Sequence, residues 1–475
     1  MKKALALLLV VVMVLGLVAC GGSQKPADTK PADTKPADAK PADTKPAGDS
    51  AGKIPVNMYF FTDEIPKMIN KYMEAHPEQA EKYEINYTII STTDGLYEPA
   101  LDQALANGEV DMYAAEAAFV LKYTQGDASQ FAATYEDLGI DVDAAIKEAD
   151  IAQYTVDIGS RDGKVVGLGY QATGGAFIYR RSIAKDVWGS DDPAVVEEKI
   201  GAGTQSWDKF FEAAADLKAK GYKIVSGDGD IWHAIENSSE KGWIEDGALV
   251  IDPAREAFLD LSKKLSDEGY SNKTQDWQEG WYADMKGEAN VFGFYGPAWL
   301  INYVMAGNSG GSAPGEGSYG DWAVCAPNVG FFWGGTWVLA GTSCLGTEKQ
   351  ELIKDIIYWI TLDATEDGLQ YKWANGTEDW DNDPSTATAK DTVGSGTVMA
   401  MSNGELEFLG GQNMFDAFVP ANAYANGKNL TQYDQTINDT WRDAVRQYAA
   451  GEVDRDTAIE NFKTGLSGKL DIEIN

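Results

Sequence analysis

Between residues 54 and 113 the hydrophobic period switches back and forth between two and 3.6. That alternation restricts the chain to folds in which helices cover a partly parallel sheet. Residues 54–61 alternate loosely and predict a strand, broken by Thr62-Asp63-Glu64. Ile65, Met68, Ile69, Tyr72 and Met73 then recur at helical spacing as far as His76-Pro77. Residues 83–90 predict a second strand, 96–107 a helix stopped by Gly108, and 110–113 a third strand. Further strands are predicted at 164–170, 176–179, 291–295 and 331–339. Helices are predicted at 207–220, 255–268, 349–362, 436–450 and 454–462, with glycine-rich or polar loops at 307–320 and 379–390. The expected class is α/β, and residues 53–475 are ample for two lobes with substantial cores.

The first 52 residues stand apart. Lys2 and Lys3 precede an apolar run over 4–18, and small Ala19 stands before Cys20. This pattern resembles a bacterial lipoprotein export signal, with residues 1–19 removed and lipid carried on Cys20. A membrane-spanning helix fits less well, because the run is short and Gly21-Gly22-Ser23 follows at once. A five-residue repeat of the form Lys25-Pro26-Ala27-Asp28-Thr29 then fills residues 20–52 without one large apolar side chain. It is expected to stay disordered and extended, reaching roughly 50–90 Å. Its lysines and aspartates cancel, so the net charge of −35 belongs almost wholly to the folded part and becomes −37 once Lys2 and Lys3 are lost. Such an acidic chain without basic clusters argues against nucleic acid and polyanions. A neutral ligand or a cation stays open.

The catalytic inventory is poor. His76 and His233 are the only histidines; no zinc-protease motif, paired-cysteine motif, phosphate loop or complete serine-hydrolase elbow occurs. No metal or cofactor is expected. Beyond Cys20 only Cys325 and Cys344 remain, and whether they pair is open. Carboxylates are too numerous to single out a glycosidase pair by composition. Tryptophan is more telling: of 14, several stand near glycine, among them Trp232, Trp277, Trp281, Trp299, Trp333 and Trp337. Flat rings suit sugar faces, while acids and amides take the hydroxyls. In Phe331-Phe332-Trp333-Gly334-Gly335-Thr336-Trp337 the glycines open space beside an aromatic wall. Period-two alternation would put Trp333 and Trp337 on one strand face.

Several segments in order resemble the extracellular solute-binding proteins of bacterial carbohydrate ABC transporters. They are 105–112 (Leu-Ala-Asn-Gly-Glu-Val-Asp-Met), Asp162-Gly163-Lys164-Val165-Val166-Gly167-Leu168 with Ile178-Tyr179-Arg180-Arg181, and Trp207-Asp208-Lys209-Phe210. The 292–299 segment, Trp333-Gly334-Gly335, the 362–368 segment and Ala450-Gly451-Glu452 complete the set. The resemblance spans residues 53–475 and implies a two-lobed periplasmic-binding-protein-like fold of the class II type with an interlobe cleft. It gives residues 53–165 plus 296–362 to the first lobe and 166–295 plus 363–475 to the second. It further implies a monomer, not an enzyme, that closes on an extracellular sugar and delivers it to ABC permease subunits. The protein would be anchored by acylated Cys20 to the bilayer on the outer face of a Gram-positive-type cell. The ligand-binding residues it implies are Trp333, Trp299, Asp63, Glu64 and Glu116, with Asp230 and Trp232 from the second lobe and Trp337 beside them. The ring-rich second lobe favours an oligosaccharide. A secreted glycoside hydrolase or a surface adhesion protein are the alternatives, and a cationic osmolyte is a rival ligand.

Overall fold

Strands that are apolar at nearly every position need cover on both faces. The computed structural model divides the chain into Met1–Lys45 and Pro46–Asn475. It describes residues 52–92, 95–380 and 390–474, all in the second unit. The export signal, Cys20 and the repeat, and Asp381 and Asp383 in the polar loop, lie outside the described residues.

The principal strands are β1 (Ile54–Phe60), β2 (Tyr83–Ile89), β3 (Met112–Glu116), β4 (Gly167–Gly169), β5 (Ala176–Arg180), β6 (Gly293–Gly296), β7 (Trp322–Cys325) and β8 (Thr336–Ala340). A five-stranded sheet has the order β2-β1-β3-β8-β4, and a three-stranded sheet the order β6-β5-β7. β1 runs parallel to β2 and β3, whereas β8 is antiparallel to both β3 and β4. The smaller sheet is antiparallel throughout.

Alternation along these strands sorts the core into three bodies. Met112 and Ala114 of β3, Val338 and Ala340 of β8, Ala176 and Ile178 of β5 and Trp322 and Val324 of β7 all join one hydrophobic cluster that reaches both sheets. Tyr113, Ala115, Trp337 and Leu339 point the other way into a second body with Tyr97 and Leu101. Phe177, Tyr179, Ala323 and Cys325 face a third, closed by Trp232, Phe258, Trp441 and Phe462. The result is the two-lobed α/β architecture expected from the sequence.

The chain passes between the sheets more than once, and close packing marks one passage: a Cβ on Gly175 would lie 1.9 Å from Phe331 Cζ. β7 belongs to the smaller sheet although it falls within 296–362, the stretch allotted above to the first lobe. Arg180 on β5 holds it there, its Nε donating to the Asp321 carboxylate at 2.8 Å. Residues 363–475 also divide: Leu369, Trp373 and Phe418 pack in the shared cluster, but Ile437, Trp441 and Phe462 pack behind the smaller sheet. Cys325 and Cys344 are buried free thiols. Burial pushes the Cys344 thiol up to about 12, so it is inert. Among the described residues no helix is long and apolar enough to cross a membrane.

Candidate functional site

Strand direction decides what meets at the cleft. β1 and β3 are parallel, so Glu64, just past β1, and Glu116, the last residue of β3, emerge at the same edge of the sheet. β8 is antiparallel, with Thr336 opposite Glu116, which brings the residues preceding β8 to that edge. β4 reverses again, with Gly169 opposite Trp337, and delivers Tyr170 and Gln171 beside them.

Tryptophans build the facing wall. Trp299 follows β6, and its Nε1 donates to the Trp333 carbonyl at 2.9 Å. The Trp299 and Trp333 ring centroids are 4.8 Å apart at 66°, an edge contact. Trp277 stacks on Trp299 at 6.1 Å and 11°, and meets Trp333 edge-on at 5.9 Å. His233, on the helix Gly229–Asn237, stacks on Trp333 at 4.7 Å. Gly334 and Gly335 have φ of +75° and +114°, values that cost a side-chain-bearing residue strain. A turn of that kind breaks the strand before β8 begins. Trp277 itself adopts φ +64° and remains 42% exposed, a strained backbone that holds a large ring against solvent.

Between these walls lies a cavity of about 490 Å³, lined by Glu64, Glu116, Gln171, Asp391, Tyr303, the three tryptophans above and a fourth, Trp373. A space of about 360 Å³ adjoins it through Glu64, Tyr303 and Thr336, and includes Asp63 and Tyr170. A third, of about 120 Å³, adjoins it at Glu116, Trp333 and Gly334 and runs to His233, Glu236 and Asp434. Burial pushes the carboxyl groups of Glu116 and Asp391 up to about 7, against backbone N–H groups that favour their charged forms. Burial also raises Glu64, although the Tyr170 hydroxyl donates to it. Glu116 and Asp391 therefore exchange between donor and acceptor near neutral pH.

Of the residues singled out in the sequence, Trp333, Trp299, Glu64 and Glu116 line the main cavity and Asp63 the adjoining one. Asp63 also pairs with Lys67 at 3.0 Å on an exposed turn. The remaining three are elsewhere. Trp232 is in the core against Phe258, with ring centroids at 5.0 Å. Trp337 is 1% exposed and donates to the Thr155 carbonyl, because the glycine turn separates its environment from that of Trp333. Asp230 accepts from the Ser226 and Gly227 N–H groups and from Trp281 Nε1, at 2.9, 3.0 and 2.9 Å, and so folds the 226–230 loop.

Tyr303, Gln171 and Asp391 line the cavity without a distinguishing local pattern. Trp277 and His233 did carry a signal, as an indole near glycine and as a ring beside Trp232. A larger cavity of about 730 Å³ lies among the helices Glu64–Ala75, Val142–Ala149 and Gln350–Thr361. Charges of both signs, Lys71, Asp141, Lys354 and Asp355 among them, line it, and among the described residues no strand end feeds it. The ring-walled cleft is therefore the candidate site. Among the described residues no cluster of histidine, cysteine and carboxylates could hold a metal ion.

Residues 61–366 match the family model described as bacterial extracellular solute-binding protein. No curated protein matches the chain. Among solved structures, an extracellular solute-binding protein family 1 member is 18% identical, with a TM-score of 0.69 over 87% of this chain and 99% of that one. The galacto-N-biose-/lacto-N-biose I-binding protein of the ABC transporter from Bifidobacterium longum, in complex with lacto-N-biose, is 15% identical, with a TM-score of 0.61 over 90% of this chain and 100% of that one. The ABC substrate-binding protein Lmo0181 from Listeria monocytogenes, in complex with cycloalternan, is 13% identical, with a TM-score of 0.57 over 88% and 99%. At these identities the structures establish a common fold, and the family model covers well over half of the sequence. The chain belongs to the bacterial extracellular solute-binding proteins.

Proposed function

We propose that this protein captures a sugar, an oligosaccharide rather than a monosaccharide, and hands it to the permease of an ABC importer. The observation that carries this reading is the cleft itself, where Trp277, Trp299 and Trp333 converge on buried acids and amides at the strand ends. Rings of this kind cover the apolar faces of pyranoses, and carboxyl groups near neutrality take or give hydrogen bonds to hydroxyls. Joined cavities of about 490 and 360 Å³ suit more than one sugar ring. The family binds solutes rather than transforming them, so the work is conformational. Ligand contacts made by both lobes favour the closed state, which docks on the permease. Solved relatives bound to lacto-N-biose, β-1,6-galactobiose and cycloalternan support a carbohydrate ligand.

Trp333, Trp299, Glu64 and Glu116 are the residues on which binding chiefly depends in this reading. Cys20, once acylated, tethers the receptor to the outer face of the membrane through the repeat, as in a Gram-positive-type cell. Calorimetry against plant, mucin and storage oligosaccharides tests the proposal. Saturable binding without turnover, weakened in Trp333→Ala with the fold retained, is expected. Hydrolysis of any bound oligosaccharide, or no binding across the panel, overturns it.

A further inference from the structure

The lining of the cleft is acidic. Among the described residues, Asp63, Glu64, Glu116, Glu236, Asp391 and Asp434 line its three joined cavities, and no lysine or arginine does. The smallest cavity has an unfilled acceptor. Asp434 is 7% exposed; its Oδ1 accepts from Thr431 Oγ1 at 2.6 Å, whereas its Oδ2 is buried without a hydrogen-bond partner among the described residues. Buried polar atoms are nearly always satisfied, and Arg255 Nε and Nη2 are unpartnered too, so hydrogen-bonding capacity behind this wall is unused. Glu236 lies in the same cavity and pairs with His233 at 3.3 Å. Burial acts to raise its carboxyl, but His233 and the charge of Arg255 hold it below the usual range. Arg255 acts on Asp434 as well, yet is wholly buried and lines none of the three cavities.

We infer that the sugar carries a protonated amine: an amino-sugar unit whose ammonium group sits beside Trp333, between Asp434 and Glu116, with the sugar rings against Trp299 and Trp277. An ammonium offers three donors and no acceptor, the complement of a wall made of carboxylates. Its charge is also attracted to the indole faces. A quaternary ammonium has no N–H for the orphaned oxygen and is small for the joined cavities, which favours the amino sugar. The inference rests on the sugar-receptor reading and narrows its ligand class.

Calorimetry on the purified protein at about pH 7, where Glu116 and Asp434 ionise and a sugar amine still carries its proton, tests it with matched pairs: glucosamine and glucose, galactosamine and galactose, the β-1,4-linked glucosamine disaccharide and cellobiose. In at least one pair the amine is expected to bind about tenfold more tightly, with a preference that shrinks as salt rises. Asp434→Asn should abolish most of that preference while folding normally, because the asparagine amide keeps the size and removes the charge. Equal or tighter binding of every neutral member overturns the inference and leaves the sugar receptor standing, as does binding of neutral oligosaccharides alone. A preference that survives both Asp434→Asn and Glu116→Gln also overturns it. No binding by any sugar to the folded protein overturns both readings.

Discussion

Trp333→Ala removes an indole that stacks on His233 and meets Trp277 and Trp299 edge-on. Truncating a central aromatic anchor typically costs about 2 kcal/mol or more, so ligand binding should weaken about 30-fold in calorimetry. Trp232→Ala should behave in the opposite manner. Its ring is 1% exposed in the core, so denaturant melts should register a loss of about 3–5 kcal/mol. Gly335→Ala forces a Cβ into φ +114° and to 3.3 Å from the Trp337 ring. A cost of about 1–3 kcal/mol is expected in the same melts. Composition and glycine neighbours marked these tryptophans as a group, but only their surroundings separate a stacking ring from a core ring. Trp333 and Trp337 sit four positions apart, as a shared face requires, and the turn at Gly334-Gly335 cancels that relation.

Elements convert strand direction into a site. β1, β3 and β4 run the same way and present Glu64, Glu116 and Tyr170 past their carboxyl ends, and antiparallel β8 brings Gly335 to meet them. Strand and helix existence was legible from hydrophobic period: the helices Glu64–Ala75, Asp208–Ala219, Gln350–Thr361 and Asp434–Ala449 all fall where apolar stripes recur. The order β2-β1-β3-β8-β4 was not, since β8 joins β3 from more than two hundred residues away. The helix Gly229–Asn237 illustrates the coupling of element to site. Its first turn is anchored by Asp230, and His233 on the same helix supports Trp333. Asp230→Ala leaves three buried donors without their acceptor, each worth about 1–3 kcal/mol. Lower melting temperature and weaker ligand binding should therefore appear together in this variant, unlike in Trp232→Ala.

At the scale of the whole molecule, buried acids set the pH response. Burial lifts Glu116, Asp230, Asp391 and Asp434 to about 7. A raised folded-state value means the native protein holds these protons more tightly than the unfolded chain. The resulting stability is complete below the ordinary carboxylate range and is lost as pH rises through about 7. Relief of repulsion in a chain of net charge −35 acts in the same direction. Groups held low oppose this only in stronger acid; Asp276, buried beside Arg442, is one. Thermal scans should accordingly give a higher midpoint at pH 5.5 than at pH 8. Ligand at about a hundred times its dissociation constant should add about 2.7 kcal/mol. Closure of the lobes should reduce the radius of gyration in solution scattering.

The sequence by itself determined the class of fold, because hydrophobic period reports local geometry and each element needs only its own residues to reveal it. It also determined the chemistry on offer: many rings and acids, and only two histidines. Only the tertiary structure decided which of those residues share a cavity. Glu64, Glu116, Trp299, Trp333 and Asp391 converge there from positions far apart in the chain. Burial, pKa and ring contact depend on distance in space, and strand pairing across hundreds of residues sets that distance.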